Sequence, residues 1–122
     1  MPRFVEMDRT VTLADQLKDE GGAVVLVNTF VAPPEDADRL LAAWAADAAI
    51  MKRQPGFIST QLHRGVAGSG AFLNYAVWES VAHFRAAFAN PEFRARLAEY
   101  PKSATASPHL FRPVAVPGVC VA

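Results

Sequence analysis

The stretch "AVVLVNTFVA", residues 23 to 32, is almost unbroken in apolar and β-branched residues until Pro33 and Pro34 stop it, a pattern that predicts a strand. The period then changes. Leu40, Leu41, Trp44, Ala48 and Met51 recur at spacings of three and four, which predicts a helix with one apolar face. Pro34 suits its first turn, Glu35 and Asp36 meet the positive end of its dipole, Lys52 and Arg53 meet the negative end, and Pro55-Gly56 terminates it. "GFISTQLHRG" returns to strand period, with Phe57, Ser59, Gln61 and His63 expected on one face and Ile58, Thr60, Leu62 and Arg64 on the other. "GVAGSGA" is a hairpin loop leading into a third strand over residues 71 to 78.

Ser80 is placed to cap a helix over residues 81 to 89, and Asn90 to cap another that begins at Pro91 and runs to about Tyr100. "KSATAS" reads as a loop and "HLFRPVAV" as a fourth strand, with Pro113 tolerable only at an edge or a bulge. The order is therefore β-α-β-β-α-β, an α+β, ferredoxin-like unit with an antiparallel sheet. Helices on one face leave Leu73, Tyr75 and Val77 on the other, too apolar to be left in water. A second copy of the chain is the natural cover, so a homodimer is expected, two sheets face to face forming a dimeric α+β barrel. Residues 1–21 read as an N-terminal arm with one short helix, 22–117 as the domain and 118–122 as a tail.

One feature breaks the apolar pattern. Period two puts Phe72, Asn74, Ala76 and Trp78 on one face of the third strand, and Leu26, Asn28 and Phe30 on one face of the first. Each strand thus carries an amide where an apolar residue would serve, at a cost of roughly 1 to 3 kcal/mol each unless the group is used. Asn74 and Trp78 stand roughly 13 Å apart along the strand, with the small Ala76 between them, so they border a space rather than touch.

Composition narrows the partners. The chain has 122 residues, 52% of them hydrophobic, enough for one domain with a core. Twelve basic and twelve acidic residues cancel, leaving no field to gather nucleic acid or an anionic membrane. Cys120 has no partner for an intrachain disulfide, "MPRFVEMDRT" lacks the apolar core of a signal peptide, and no apolar run approaches the roughly 20 residues that span a bilayer. A soluble cytoplasmic protein is expected.

Other chemical residues offer less. His63, His83 and His109 fall on three elements without metal-ligand spacing, so no metal is expected. His63 is the best candidate for proton handling, because histidine titrates near neutral pH and its strand face carries Phe57. "GVAGSG" lacks the Lys-Ser/Thr of a phosphate loop, Ser69 lacks a nucleophile elbow, and Glu79 faces away from Trp78.

"VNTF", "QPGFISTQLHR", "FLNYAVWES", "FRAAFANPEF" and "LFRPV", in this order and spacing, resemble the antibiotic biosynthesis monooxygenase family, a group of dimeric α+β barrel proteins. The resemblance covers about residues 23 to 116. It implies a cofactor-independent monooxygenase that oxidises a polycyclic phenol or anthrone-like substrate with dioxygen, using Asn28, Asn74 and Trp78, in a pocket walled by Trp44, Phe57, Phe72 and Phe84. No metal, flavin or other cofactor is needed, because the electron-rich substrate itself reduces dioxygen. Neither amide is a base, and a tyrosine that some members carry six residues after the tryptophan is Phe84 here. The arginine assigned to proton handling falls at Arg94 or Arg96, and the axial histidine of the haem-degrading branch falls on Leu97, which cannot ligate iron. A haem-degrading oxygenase, an isomerase and a non-catalytic ligand-binding dimer stay open as alternatives on the same scaffold.

Overall fold

The computed structural model describes all 122 residues. Its elements in chain order are β1 (Arg3–Phe4), α1 (Leu13–Gln16), β2 (Val24–Val31), α2 (Ala37–Met51), β3 (Phe57–Arg64), β4 (Ala71–Trp78), α3 (Val81–Phe88), α4 (Pro91–Arg96) and β5 (Thr105–Phe111). A 3-10 turn, Pro34–Asp36, leads into α2, and another, Leu97–Glu99, follows α4. The strands form one sheet in the order β1-β5-β2-β4-β3, antiparallel except for the β1–β5 pair. The helices cover one face, as the ferredoxin-like reading requires.

Local chemistry explains the punctuation. The Ser80 hydroxyl accepts from the His83 N–H at 3.1 Å, and Asn90 Oδ1 accepts from the N–H groups of Glu92 and Phe93, so the donors at the starts of α3 and α4 are satisfied. Gly56, at φ +86°, turns the chain from α2 into β3; a Cβ there would stand 2.2 Å from the His83 ring.

β1 lies in residues expected as an arm and adds a fifth strand, parallel to β5, to a sheet expected to be antiparallel. Two further strand assignments also differ from expectation. The last strand begins at Thr105, inside the segment expected as a loop, and ends at Phe111, before Pro113. It therefore contains Pro108. Ala104 and Ala106 give their carbonyls to β1, and Leu110 turns its backbone groups to Gln16, so alternation puts the Pro108 nitrogen on this outer side. A missing N–H costs the sheet nothing there. The second difference is a β-bulge between Phe57 and Ser59: Phe57 pairs with Trp78, but Ser59 pairs with Val77. One extra residue reverses the phase of everything beyond it, so Thr60, Leu62 and Arg64 join Phe57 on the helix side. The common face expected for Phe57, Ser59, Gln61 and His63 does not exist.

The N-terminal residues finish the sheet edge. β1 covers the first part of β5, and the Gln16 side chain covers the rest: its Nε2 donates to the Leu110 carbonyl at 2.9 Å and its Oε1 accepts from the Leu110 N–H at 2.9 Å. One side-chain amide thus replaces a strand neighbour. Replacing Gln16 by Ala should lower unfolding free energy by about 1 to 2 kcal/mol in urea titration, with hydrogen exchange quickening at the Leu110 amide.

Candidate functional site

The core is divided. One apolar cluster gathers Phe30, Leu40, Ile50, Phe72, Phe93 and Tyr100, and a second gathers Val24, Leu26, Trp78, Val81, Phe84 and Leu110; Met51 and Phe88 pack against both. Between them lies a cavity lined by residues of both clusters. Fourteen of its twenty lining residues are hydrophobic, so polar groups on its wall act in a low-dielectric setting.

The sheet supplies one wall. Asn28 and Asn74 are directly opposed residues of β2 and β4, and both line the cavity. Asn28 Oδ1 accepts from the Ser107 backbone N–H at 3.1 Å. A backbone N–H only donates, so this bond decides which end of the amide is oxygen. Asn74 Oδ1 accepts from the Thr60 hydroxyl at 2.5 Å. Ser107 and Thr60 lie on the two flanking strands, and each draws one amide oxygen outward. Neither Nδ2 has a partner in the chain. Trp78, 1% exposed, is held edge-on between Phe57 and Phe84, with ring centroids 5.5 and 5.7 Å away. Its Nε1 is buried without a hydrogen-bond partner. The three residues that carry these unpartnered N–H groups all line the cavity.

The helices supply the other wall. Trp44, Asp47, Ala48 and Met51, spaced i, i+3, i+4, i+7, form the stripe that α2 turns to the cavity. Asp47 is 8% exposed and its Oδ2 accepts from the Tyr100 hydroxyl, while the Tyr100 ring stacks on Phe30 at 5.5 Å. Burial pushes the Asp47 carboxyl up to about 7, against the pull of the Tyr100 hydrogen bond, which lowers it. Burial, and then the Asp47 charge, push Tyr100 well above its ordinary value. Pro2 and Phe4 of the N-terminal segment complete the lining.

The structure brings together Asn28, Asn74, Trp78, Trp44, Phe57 and Phe84. It leaves out two of the expected residues. Phe72 lies two residues beyond Asn74 in β4, where it pairs with Phe30 in the core under the Arg64 guanidinium. His63, its phase reversed by the bulge, pairs with Leu73 on the opposite face of the sheet, exposed, with Nδ1 3.3 Å from the Leu73 carbonyl. The residues missed by sequence reasoning are Thr60, hidden by the bulge, and the Asp47–Tyr100 pair. A signal for Asp47 existed: "AAWAADAAIM" places a lone carboxylate in phase with Leu40, Ala43 and Ile50.

Residues 23–98 match the family described as antibiotic biosynthesis monooxygenase. This chain belongs to that family. Among solved structures it is similar to SnoaB, a cofactor-independent oxygenase from Streptomyces nogalater, with 28% identity, a TM-score of 0.69, and coverage of 80% of this chain and 99% of that one. A point mutant of SnoaB matches at 27% identity, with a TM-score of 0.67 and the same coverage. A proposed monooxygenase from Shewanella loihica matches at 31% identity and a TM-score of 0.65, over 78% of this chain and 97% of that one. Among curated proteins none matches. Family membership and the SnoaB likeness support a monooxygenase-type function. The family match leaves out residues 1–22, so this member lines its cavity partly with a segment outside the matched region. No helix is long and apolar enough to cross a membrane, and no group of three His, Cys, Asp or Glu could hold a metal ion.

The raised Asp47 carboxyl has a thermodynamic signature. The folded state holds a proton that the unfolded state, with an ordinary value of 3.8, releases earlier, so the Asp47 contribution to stability is fully present below about pH 4, is lost as pH rises to about 7, and then levels off. The lowered Asp8, Asp15 and Asp19 act in the opposite sense at low pH. In urea titrations across pH 3.5 to 8, the stability difference between wild type and Asp47→Asn should decline with rising pH and level off above about 7.

Proposed function

We propose that this protein is a cofactor-independent monooxygenase that binds a polycyclic phenol or anthrone-like substrate in the divided core and oxidises it with dioxygen. The observation that carries the reading is the set of three unpartnered N–H donors, Asn28 Nδ2, Asn74 Nδ2 and Trp78 Nε1, on one wall of an apolar cavity. Such donors suit an oxyanion: fixed before the ligand arrives, in a site too dry to screen them, they favour the anion over its neutral parent. Trp44, Phe57 and Phe84 offer flat apolar area for a polycyclic ring system.

In this reading the anion is the reductant. Electron-rich carbon transfers one electron to dioxygen, the radical pair combines to a hydroperoxide, and loss of water leaves a carbonyl. One oxygen atom enters the product and the other leaves as water, with all four electrons drawn from the substrate methylene. Neither metal nor flavin has a step to perform. The haem-degrading alternative draws no support from the wall, because His63, His83 and His109 all lie off it.

The proposal includes a homodimer. Val31, Ile58, Tyr75 and Phe111 are exposed apolar residues, with Val31, Tyr75 and Phe111 on the sheet face opposite the helices, a surface that a second sheet would cover. A cytoplasmic location suits the single Cys120. Light scattering at micromolar concentration should give the mass of two chains, and Tyr75→Lys should give one.

The activity test is oxygen uptake by metal-stripped protein with anthrone and polycyclic phenols. Wild type should exceed the uncatalysed rate, while Asn74→Ala and Trp78→Phe should each lose about 10² in kcat, the usual scale for one oxyanion donor. Tight binding of these compounds with no uptake would instead assign a non-oxidative role to the cavity.

A further inference from the structure

Resting on the oxygenase reading, we propose that Asp47 is the catalytic base that takes the substrate's proton, and that Tyr100 positions it. The donor wall can hold an anion but cannot make one: amides and indoles are not bases at neutral pH, and Phe84 has no hydroxyl. Asp47 lies on the facing wall, at the centre of the α2 stripe, flanked by Trp44 one turn before and Met51 one turn after. An anthrone placed with its acidic methylene toward Asp47 has its carbonyl oxygen, the atom that gains charge, on the far side of the central ring, toward the donors.

The chemistry of the pair fits the task. Tyr100 donates to Oδ2, which fixes the carboxylate plane and leaves Oδ1 with no partner in the chain. Stacking on Phe30 fixes Tyr100 in turn. Asp47 and Tyr100 are the only titratable side chains on the cavity wall; the sheet, α3, α4 and the N-terminal segment turn no Lys, Arg, His or second carboxylate to it. No counter-ion therefore holds Asp47 ionised, and a carboxylate in this setting is far more basic than one in water, with a value of about 7 suited to proton exchange at neutral pH.

The step balances. The Asp47 carboxylate accepts the proton from the substrate O–H or methylene C–H, and the electron pair of that bond stays on the substrate as the anion. After dioxygen has added, the Asp47 carboxylic acid returns its proton to the peroxide oxygen. That return regenerates the carboxylate, which then accepts the remaining hydrogen of the same carbon as a proton. The C–H electron pair forms the carbonyl, the O–O bond breaks, and the leaving hydroxide takes the proton from Asp47 as water.

The test follows oxygen uptake with anthrone and with its 10,10-dideuterated form across pH 5 to 9. Wild type should show kcat rising through one ionisation near pH 7 and a primary deuterium isotope effect. Asp47→Asn, which keeps the acceptor for Tyr100, should lower kcat by about 10²-fold or more while changing KM little, and should abolish the rising limb. Tyr100→Phe removes the bond that lowers the Asp47 value and should move the limb to higher pH, a change that loss of packing alone would not produce. If Asp47→Asn does not fold, the limb shift in Tyr100→Phe decides the matter. Uptake by Asp47→Asn close to wild type, or an unmoved limb in Tyr100→Phe, overturns the assignment of Asp47 while leaving the oxygenase reading intact. Absence of uptake by wild type overturns both.

Discussion

The hydrogen bond from the Ser107 N–H to Asn28 Oδ1 is the constraint from which the site follows. It ties β5 to β2 at the residue before Pro108, and it removes the two-fold ambiguity of an amide. With its oxygen drawn toward β5, Asn28 has only a donor left for the cavity. From the opposite flank the Thr60 hydroxyl donates to Asn74 Oδ1; a hydroxyl can also accept, so this bond does not fix the amide as the Ser107 N–H does. A pair of amides that could have bonded to each other across β2 and β4 is thereby held open, and their donors belong to the cavity rather than to the fold.

This arrangement works against stability in a way that apolar residues at the same positions would not. A buried indole N–H without a partner, two amide donors without partners and a carboxyl group displaced from its ordinary range all stand where Leu or Phe would pack. Their coexistence around one cavity is the mark of a site that awaits a ligand, although His109 Nδ1, away from the cavity, is also buried without a partner. The two walls divide the work by secondary structure: the rigid central strands hold the donors, and α2 with the turn after α4 holds the proton-exchanging pair. Phe84, 0% exposed and packed against Trp78, brings no ionisable group to this side. The ionisable chemistry stands on the facing wall instead.

Much of the fold was legible because it depends on local periodicity. The strand of Asn28, the amphipathic α2, the caps at Ser80 and Asn90, and the face shared by Asn74 and Trp78 all follow from the spacing of apolar residues and from residues with one strong backbone preference. The errors lie where a single residue changes the phase or where a weak local preference is overruled. The bulge after Phe57 turned His63 out and Thr60 in, and no residue type in "GFISTQ" marks it. "KSATAS" read as a loop, but pairing with β2 and an outward-facing Pro108 nitrogen let the strand begin at Thr105.

What the sequence determined by itself, then, is which side chains share a face within each element, since that is a matter of 3.6 or 2 residues per turn. Which faces meet is another matter, because it depends on contacts between residues far apart in the chain. Only the tertiary structure set Asn28 opposite Asn74, turned their oxygens to Ser107 and Thr60, and brought Tyr100 to Asp47 across 53 positions of sequence. The acid–base character of Asp47 belongs to that last category. In the sequence it is one of twelve acidic residues; burial in the cavity wall, which no local pattern encodes, raises its affinity for a proton.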